Sequence, residues 1–493
     1  MSETIVVVGA NHAGTAAINT ILDHYKDKRV VVFDRGSVIS FLGCGMALWI
    51  GGQISGPDGL FYASKEAFEQ KGATVHMETE VTDIDFAAKR VTARTKDGST
   101  ITQGYDKLIL STGSVPICPP VPGMELENVQ FVKEYRHAQA VVEKLAHSEI
   151  RRVAVVGAGY IGVELAEAFV RNGRDTTLID CAPTCLSGYY DDDFCARMAD
   201  TLRQGGVQLA FGQTVQRIEG EGRVQRVVTD QGAIEADMVV FAIGFRANTK
   251  LGEGHLDLWR HGPYLVDRCQ RTSDAAVFAV GDCATVYNNA TRGTDYIALA
   301  TNAVRTGIVA AHNACGTRLE GNGVQGSNGI SIWGWNMFST GLSLKKARAL
   351  GYDAAATDRE DWQKAAFIES GNYKTWLRVV YDKATRRILG AELASSQDVS
   401  MGLHMFSLAI EQGYTIDQLK LLDIFFLPHF NAPYNYITRA AWGAQQRTAP
   451  RRRSQQQSPR FHSENGGFFC MDARRVTPCP QSRTAPFFPA RWP

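Results

Sequence analysis

The chain has 493 residues, 44% apolar and 21% charged, which excludes a wholly disordered or fibrous protein. Its formal charge is +1, so no bulk field points to nucleic acid or to a membrane surface. No apolar run reaches the ~18 residues of a membrane span, and the N-terminal Met1-Ser-Glu-Thr is acidic where a secretory leader would be basic, so a cytoplasmic location is expected.

In chain order, Ile5-Val-Val-Val-Gly9-Ala-Asn-His-Ala-Gly14 is an apolar strand entering a glycine turn. Ala13 to Leu22 reads as a helix, and Val30 to Asp34 as the next strand. Ser40-Phe-Leu-Gly-Cys44-Gly-Met-Ala-Leu-Trp-Ile-Gly-Gly52 follows. Leu108-Ile-Leu-Ser-Thr112-Gly113-Ser114 is a strand ending in a small-residue turn. The opening pattern then returns. Val153-Ala-Val-Val-Gly157-Ala-Gly159-Tyr160-Ile161-Gly162 leads into a helix through Phe169 and a strand ending at Asp180. Ala276-Val-Phe-Ala-Val-Gly281-Asp282 is another strand with an acid at its end. Gly329-Ile-Ser-Ile-Trp-Gly-Trp335 begins a third region, in which Trp376–Tyr381 and Ile388–Glu392 read as a hairpin.

The chain thus contains the same βαβ unit twice. The first glycine permits the tight turn, the second lets backbone approach a pyrophosphate, and the third allows close helix–strand packing. The helix N-terminus offers free N–H groups to the phosphates. The acid some ~20 residues on accepts hydrogen bonds from ribose hydroxyls. The second unit is a full GxGxxG; the first has Asn11 at the middle glycine.

The ten cysteines form no CxxC pair, which fits a reducing compartment and gives no support to zinc or dithiol chemistry. No metal site is expected. Cys44 stands alone, because Gly45 to Trp49 supply no second thiol. A lone cysteine at a redox centre can cycle between thiolate and sulfenic acid, or form a mixed disulfide. If it opens a helix, the dipole lowers its pKa; the alternative is a structural cysteine. His12, in the first turn, can carry a proton near neutral pH or simply pack there. His429 reads as interface packing. Residues 447–493 hold nine Arg, no Lys and seven of the 16 prolines, and read as a basic, disordered tail.

The turns at Thr112–Ser114 and Gly281-Asp282 resemble those of two-dinucleotide flavoproteins. Gly9-Ala-Asn-His-Ala-Gly14, Ser40–Ile50, Gly157–Ala168, Tyr296–Arg305, Gly323–Gly329 and Phe425–Asn431 together resemble the water-forming NADH oxidases of lactic acid bacteria. These lie within the single-cysteine flavoprotein disulfide reductase family, with NADH peroxidase and coenzyme A disulfide reductase. The resemblance runs from residue 1 to about 446 and stops at the tail.

It implies an α/β fold with two Rossmann-like domains and a C-terminal α+β dimerisation domain. The FAD domain is 1–117 and 246–325, the NAD domain 118–245, and the dimerisation domain 326–446. It implies FAD at Gly9, Ala10, Asn11, His12, Ala13, Gly14, Asp34, Cys44, Val81, Thr112, Gly113, Ser114, Lys133, Gly281, Asp282, Leu299, Ala300 and Thr301, with Phe426 supplied by a neighbouring subunit. NADH is implied at Gly157, Gly159, Tyr160, Ile161, Gly162, Asp180, Tyr189, Gly244 and Gly329. Cys44 is the redox cysteine and His12 the proton carrier by the same resemblance. The expected reaction converts O₂ to two waters with two NADH through a Cys44 thiolate/sulfenate cycle. The rivals are NADH peroxidase, coenzyme A disulfide reductase and a flavin redox sensor. A homodimer or higher homo-oligomer is expected, without nucleic acid or membrane partners.

Overall fold

The computed structural model describes residues 2–260 and 262–444. Among these, no helix is long and apolar enough to cross a membrane.

The first sheet is parallel, with strand order Val277–Ala279, Lys107–Leu110, Thr4–Val8, Arg29–Phe33, Thr74–His76. Its strands are continuous apolar runs because helices and loops bury both faces; Ile5, Val7, Val30 and Val32 are fully enclosed. On one face, helix His12–His24 packs against helix Ala300–Ala314. Their backbones approach closely at Gly307, where a Cβ would lie 2.2 Å from Ala13 O.

The second sheet repeats the design, with order Gln208–Phe211, Asp175–Asp180, Arg152–Val156, Met238–Phe241, Val129–Phe131, again all parallel. It is joined to the first by an antiparallel pair, Ser114–Pro116 with Phe245–Ala247.

The third region is a five-stranded antiparallel sheet, order Asn328–Ile332, Trp335–Gly341, Ile388–Ser395, Lys374–Asp382, Ala354–Trp362. Helices Ser400–Glu411 and Tyr436–Gly443 pack on it around Phe406, Leu403 and Ile437. The apolar run read from Gly329 to Trp335 is divided, because Trp333 (φ +44°) and Gly334 (φ +82°) make a left-handed two-residue turn. That turn docks on the second region: a Cβ at Gly205 would lie 2.2 Å from the Trp333 ring.

Candidate active site

Gly9 (φ +96°) and Gly157 (φ +105°) hold backbone that an L side chain resists. A Cβ at Gly14 would lie 1.9 Å from Gly9 O, and one at Gly162 would lie 1.7 Å from Gly157 O. Each helix therefore begins directly on its strand end. Gly159 differs, since nothing lies within 4 Å of its Cβ position. The N-cap residues Asn11 and Gly159 make no side-chain capping bond. The first-turn amides of both helices are thus left for a ligand, and their dipoles favour an anion there.

The two acids sit alike. Asp34 accepts from Ala10 N and Gly36 N, both at 2.7 Å. Asp180 accepts from Ala158 N at 2.5 Å and Ala182 N at 2.7 Å. Each carboxylate bridges its glycine turn and keeps lone pairs for ribose hydroxyls. Burial pushes the Asp34 carboxyl up despite the two N–H donors.

One cavity of about 970 Å³ connects these parts. Asp180, Gly157, Gly159, Ile161, Tyr160, Tyr189, Gly244 and Gly329 line it. So do Cys44, His12, Asn11, Lys133, Asp282, Leu299 and Ala300. Asp282 accepts from Ser114 Oγ at 2.7 Å and lies 3.7 Å from Lys133 Nζ, which sits 4.3 Å over the Phe245 ring. Gly9, Ala10, Ala13, Gly14, Asp34, Thr112, Gly113, Ser114, Gly162, Gly281 and Thr301 are off the cavity wall, in the surrounding turns and helix starts. Thr112 Oγ1 donates to Asn248 O at 2.6 Å, tying two of these turns together. Val81 packs into the core beneath the first sheet, which leaves only its backbone for a ligand. Phe426 is exposed and away from the cavity.

Cys44 lies in a 3₁₀ turn, Gly43–Gly45, just before the short helix Met46–Ile50. The expectation of a lowered pKa is corrected. Burial pushes the thiol up, Glu164 adds to this, and the N–H groups of Cys44 and Gly45 offset only part of it. A five-residue helix supplies too little dipole to reverse desolvation.

His12 Nδ1 lies 2.8 Å from Tyr62 Oη, and the two rings stack at 5.8 Å and 6°. Burial lowers the His12 pKa, so the ring is neutral near pH 7. Burial and the nearby Cys44 push the Tyr62 hydroxyl up to about 12, so it stays protonated. Glu164 lines the cavity one helical turn after Tyr160, and burial pushes it up to about 7.

Tyr62 and Glu164 are absent from the sequence reading. Glu164 carried a signal, because an acid four residues after Tyr160 shares its helix face. Tyr62 carried none: it is in an irregular segment, brought near by bonds from Tyr62 N and Ala63 N to Ser40 Oγ.

Two nucleotide-type turns facing one cavity, with Cys44 on its wall, define a two-dinucleotide redox protein. The chain belongs to the pyridine nucleotide-disulphide oxidoreductases: that family's model matches residues 3–307, and its dimerisation domain matches residues 332–435. It is 60% identical over 452 residues to an NADH oxidase of Streptococcus pyogenes, covering 89% of this chain and 99% of the relative. It is 49% identical over 443 residues to an NADH oxidase of Lactococcus lactis, covering 89% and 99%. Among solved structures, the water-forming NADH oxidase of Lactobacillus brevis bound to NADH superposes with a TM-score of 0.87 at 40% identity, covering 90% of this chain and 98% of that one.

Proposed function

We propose that the protein is a FAD-dependent NADH oxidase that reduces O₂ to two waters with two NADH, through Cys44 alternating between thiolate and sulfenate. The observation that carries this is the meeting of Cys44, His12 and both nucleotide-type turns on one cavity. The cradles fit two dinucleotides: the glycine contacts leave no room for side chains where backbone meets backbone, and Gly159 leaves open space where a pyrophosphate would lie. When bound, the flavin supplies the two-electron link from NADH to oxygen and to the cysteine.

The chain's own residues do the rest. The Tyr160–Arg171 helix start orients the NADH phosphates, and Asp180 takes the adenosine ribose. Tyr160 and Tyr189, with ring centroids 4.5 Å apart, shield this part of the cavity from water. The Cys44 sulfur attacks peroxide: an S–O bond forms, the O–O bond breaks, and hydroxide leaves. His12 Nδ1 donating to the Tyr62 hydroxyl leaves Nε2 of the neutral ring free to take the Cys44 thiol proton as the sulfur attacks and to deliver it to the leaving hydroxide as water. Two electrons and two protons then return the sulfenic acid to thiol and release the second water.

The same proposal assigns 1–117 and 246–325 to FAD, 118–245 to NADH and 326–446 to dimerisation, with Phe426 reaching a neighbouring subunit's flavin. It places the enzyme in the cytoplasm, where NADH is available and free thiols persist. The test measures NADH and O₂ consumption together with released peroxide. Two NADH per O₂ without peroxide supports the reading. H₂O₂ reduction without O₂ uptake would make it a peroxidase. Turnover with coenzyme A disulfide alone would make it that reductase, and a single reduction without turnover would make it a sensor.

A further inference from the structure

Away from the active site, a second cavity of about 380 Å³ lies where the 286–295 hairpin meets the C-terminal end of helix Ser400–Glu411. Arg268, Arg292, Asn289, Asn322, Gln412 and Glu411 line it. Arg387 adjoins it at Gly413: a Cβ there would lie 3.2 Å from Arg292 Nη2 and 3.9 Å from Arg387 Cδ.

Among the described residues, none of these three arginines has a carboxylate within ion-pair distance. Arg268 donates to Gly321 O at 2.9 and 2.7 Å, and Arg387 to Ala290 O at 2.9 Å. Asp382, the acid nearest in influence to Arg387, is taken up by Thr385. Burial and the Arg292 charge both pull the Arg387 pKa down, the mark of like charges held together. Arg292 also has φ +56°, a strained conformation for a side chain of its size.

Two buried donors are unpaired. Asn289, 8% exposed, has no partner for Nδ2, and Arg387 has none for Nη1. Such groups are costly unless something satisfies them. Part of the positive charge answers the helix C-terminus, which carries about half a negative unit charge, and Glu411, whose Oε2 accepts from Gln325 at 3.4 Å. Three guanidinium groups exceed both together, and none of them donates to a carbonyl of that helix.

We propose that this cavity binds a small multivalent oxyanion of the phosphate or pyrophosphate class, held by Arg268 and Arg292, with Arg387 behind. The guanidinium fork suits such an oxyanion geometrically. Free polyphosphate and a nucleotide's phosphate tail share this chemistry.

The test is calorimetric titration of the full, flavin-loaded chain at low ionic strength, with saturating NAD⁺ occupying the dinucleotide cavity. Inorganic pyrophosphate should bind once per chain, and more tightly than inorganic phosphate. Arg292→Asn keeps a residue that tolerates this backbone and should weaken binding by about tenfold or more, with kcat/KM for NADH unchanged. ADP binding as tightly as pyrophosphate supports the site with a nucleotide as source; ADP exclusion supports it with free polyphosphate. No binding at millimolar pyrophosphate, or binding unchanged in Arg292→Asn, overturns the proposal.

Discussion

At the scale of single residues, Cys44 and the His12–Tyr62 pair divide the chemistry. Reduction by NADH needs the nucleotide sites and not the thiol, whereas O–O cleavage needs a nucleophilic sulfur. Cys44→Ser keeps the size but is hardly ionised at neutral pH. It should still bind FAD, accept electrons from NADH and consume O₂, but release H₂O₂ at one NADH per O₂. Oxygen uptake with and without catalase reads this directly; a serine enzyme that still made only water would sink the single-cysteine mechanism. Tyr62→Phe removes the partner of His12 Nδ1 and keeps the ring stack. Cleavage should slow by about a hundredfold, the low end of general acid–base contributions. Peroxide should leak, and the pH profile of water formation should shift while flavin content holds. An unaltered profile without leaked peroxide would leave Tyr62 as packing.

Secondary-structure elements decide which nucleotide is accepted and how the regions are clasped. Asp180, at the end of strand Asp175–Asp180, is anchored by two backbone N–H groups and followed by the neutral Cys181. A carboxylate accepts the free 2′-hydroxyl and repels a 2′-phosphate. Strong preference for NADH is expected, and Asp180→Ala with Cys181→Arg should raise kcat/KM for NADPH and lower it for NADH; equal values in the unaltered enzyme would reject the assignment. These elements were legible because a glycine turn, its helix and the strand-end acid form one local pattern. The clasp was not, because it joins residues far apart in sequence. Asp191 receives Leu344 N and Lys345 N at 2.9 Å and lies 3.2 Å from Arg378 Nη1, while Asp191 N donates to Glu392 Oε1 at 2.9 Å. Glu392 is 1% exposed, and burial with the Asp191 carboxylate pushes it up to about 9. Between the ordinary glutamate value, about 4.3, and about 9, the folded state keeps a proton that the unfolded state has released. This group therefore subtracts stability progressively as pH rises through that window. Glu392→Gln mimics the protonated form, so its Tm advantage should be small at pH 5 and larger at pH 8. A constant difference would show that Glu392 is ionised in the fold. Cys44 shows the same limit on local reading. Its glycine-flanked position was legible, but its raised pKa arises from distant residues packed around the turn.

On the scale of the whole molecule, the third region leaves an apolar surface uncovered. Phe425 is 66% exposed and Tyr434 79%, with Phe426, Leu427 and Phe430 beside them, all in one short stretch. Isolated exposed apolar residues are ordinary, but a contiguous set marks an interaction surface. This stretch lies within the segment matching the family's dimerisation domain. Phe426 is off the cavity of its own chain, as a residue offered to a second copy would be. A homodimer through this face is expected by light scattering of the full chain. Phe425→Asp with Tyr434→Asp places two charges in the contact and should yield monomers. Flavin retention should fall with it, because the neighbouring subunit's aromatic is withdrawn. Residues 447–493 lie outside the described residues and beyond the family match, which ends at 435. The relatives account for the rest: the S. pyogenes oxidase aligns over 99% of its own length with 89% of this chain. Truncation after residue 446 should therefore leave both the dimer and the turnover intact. A truncated protein that became monomeric or lost flavin would assign the tail a structural role, whereas a charge-substituted protein that stayed dimeric would move the interface to another face.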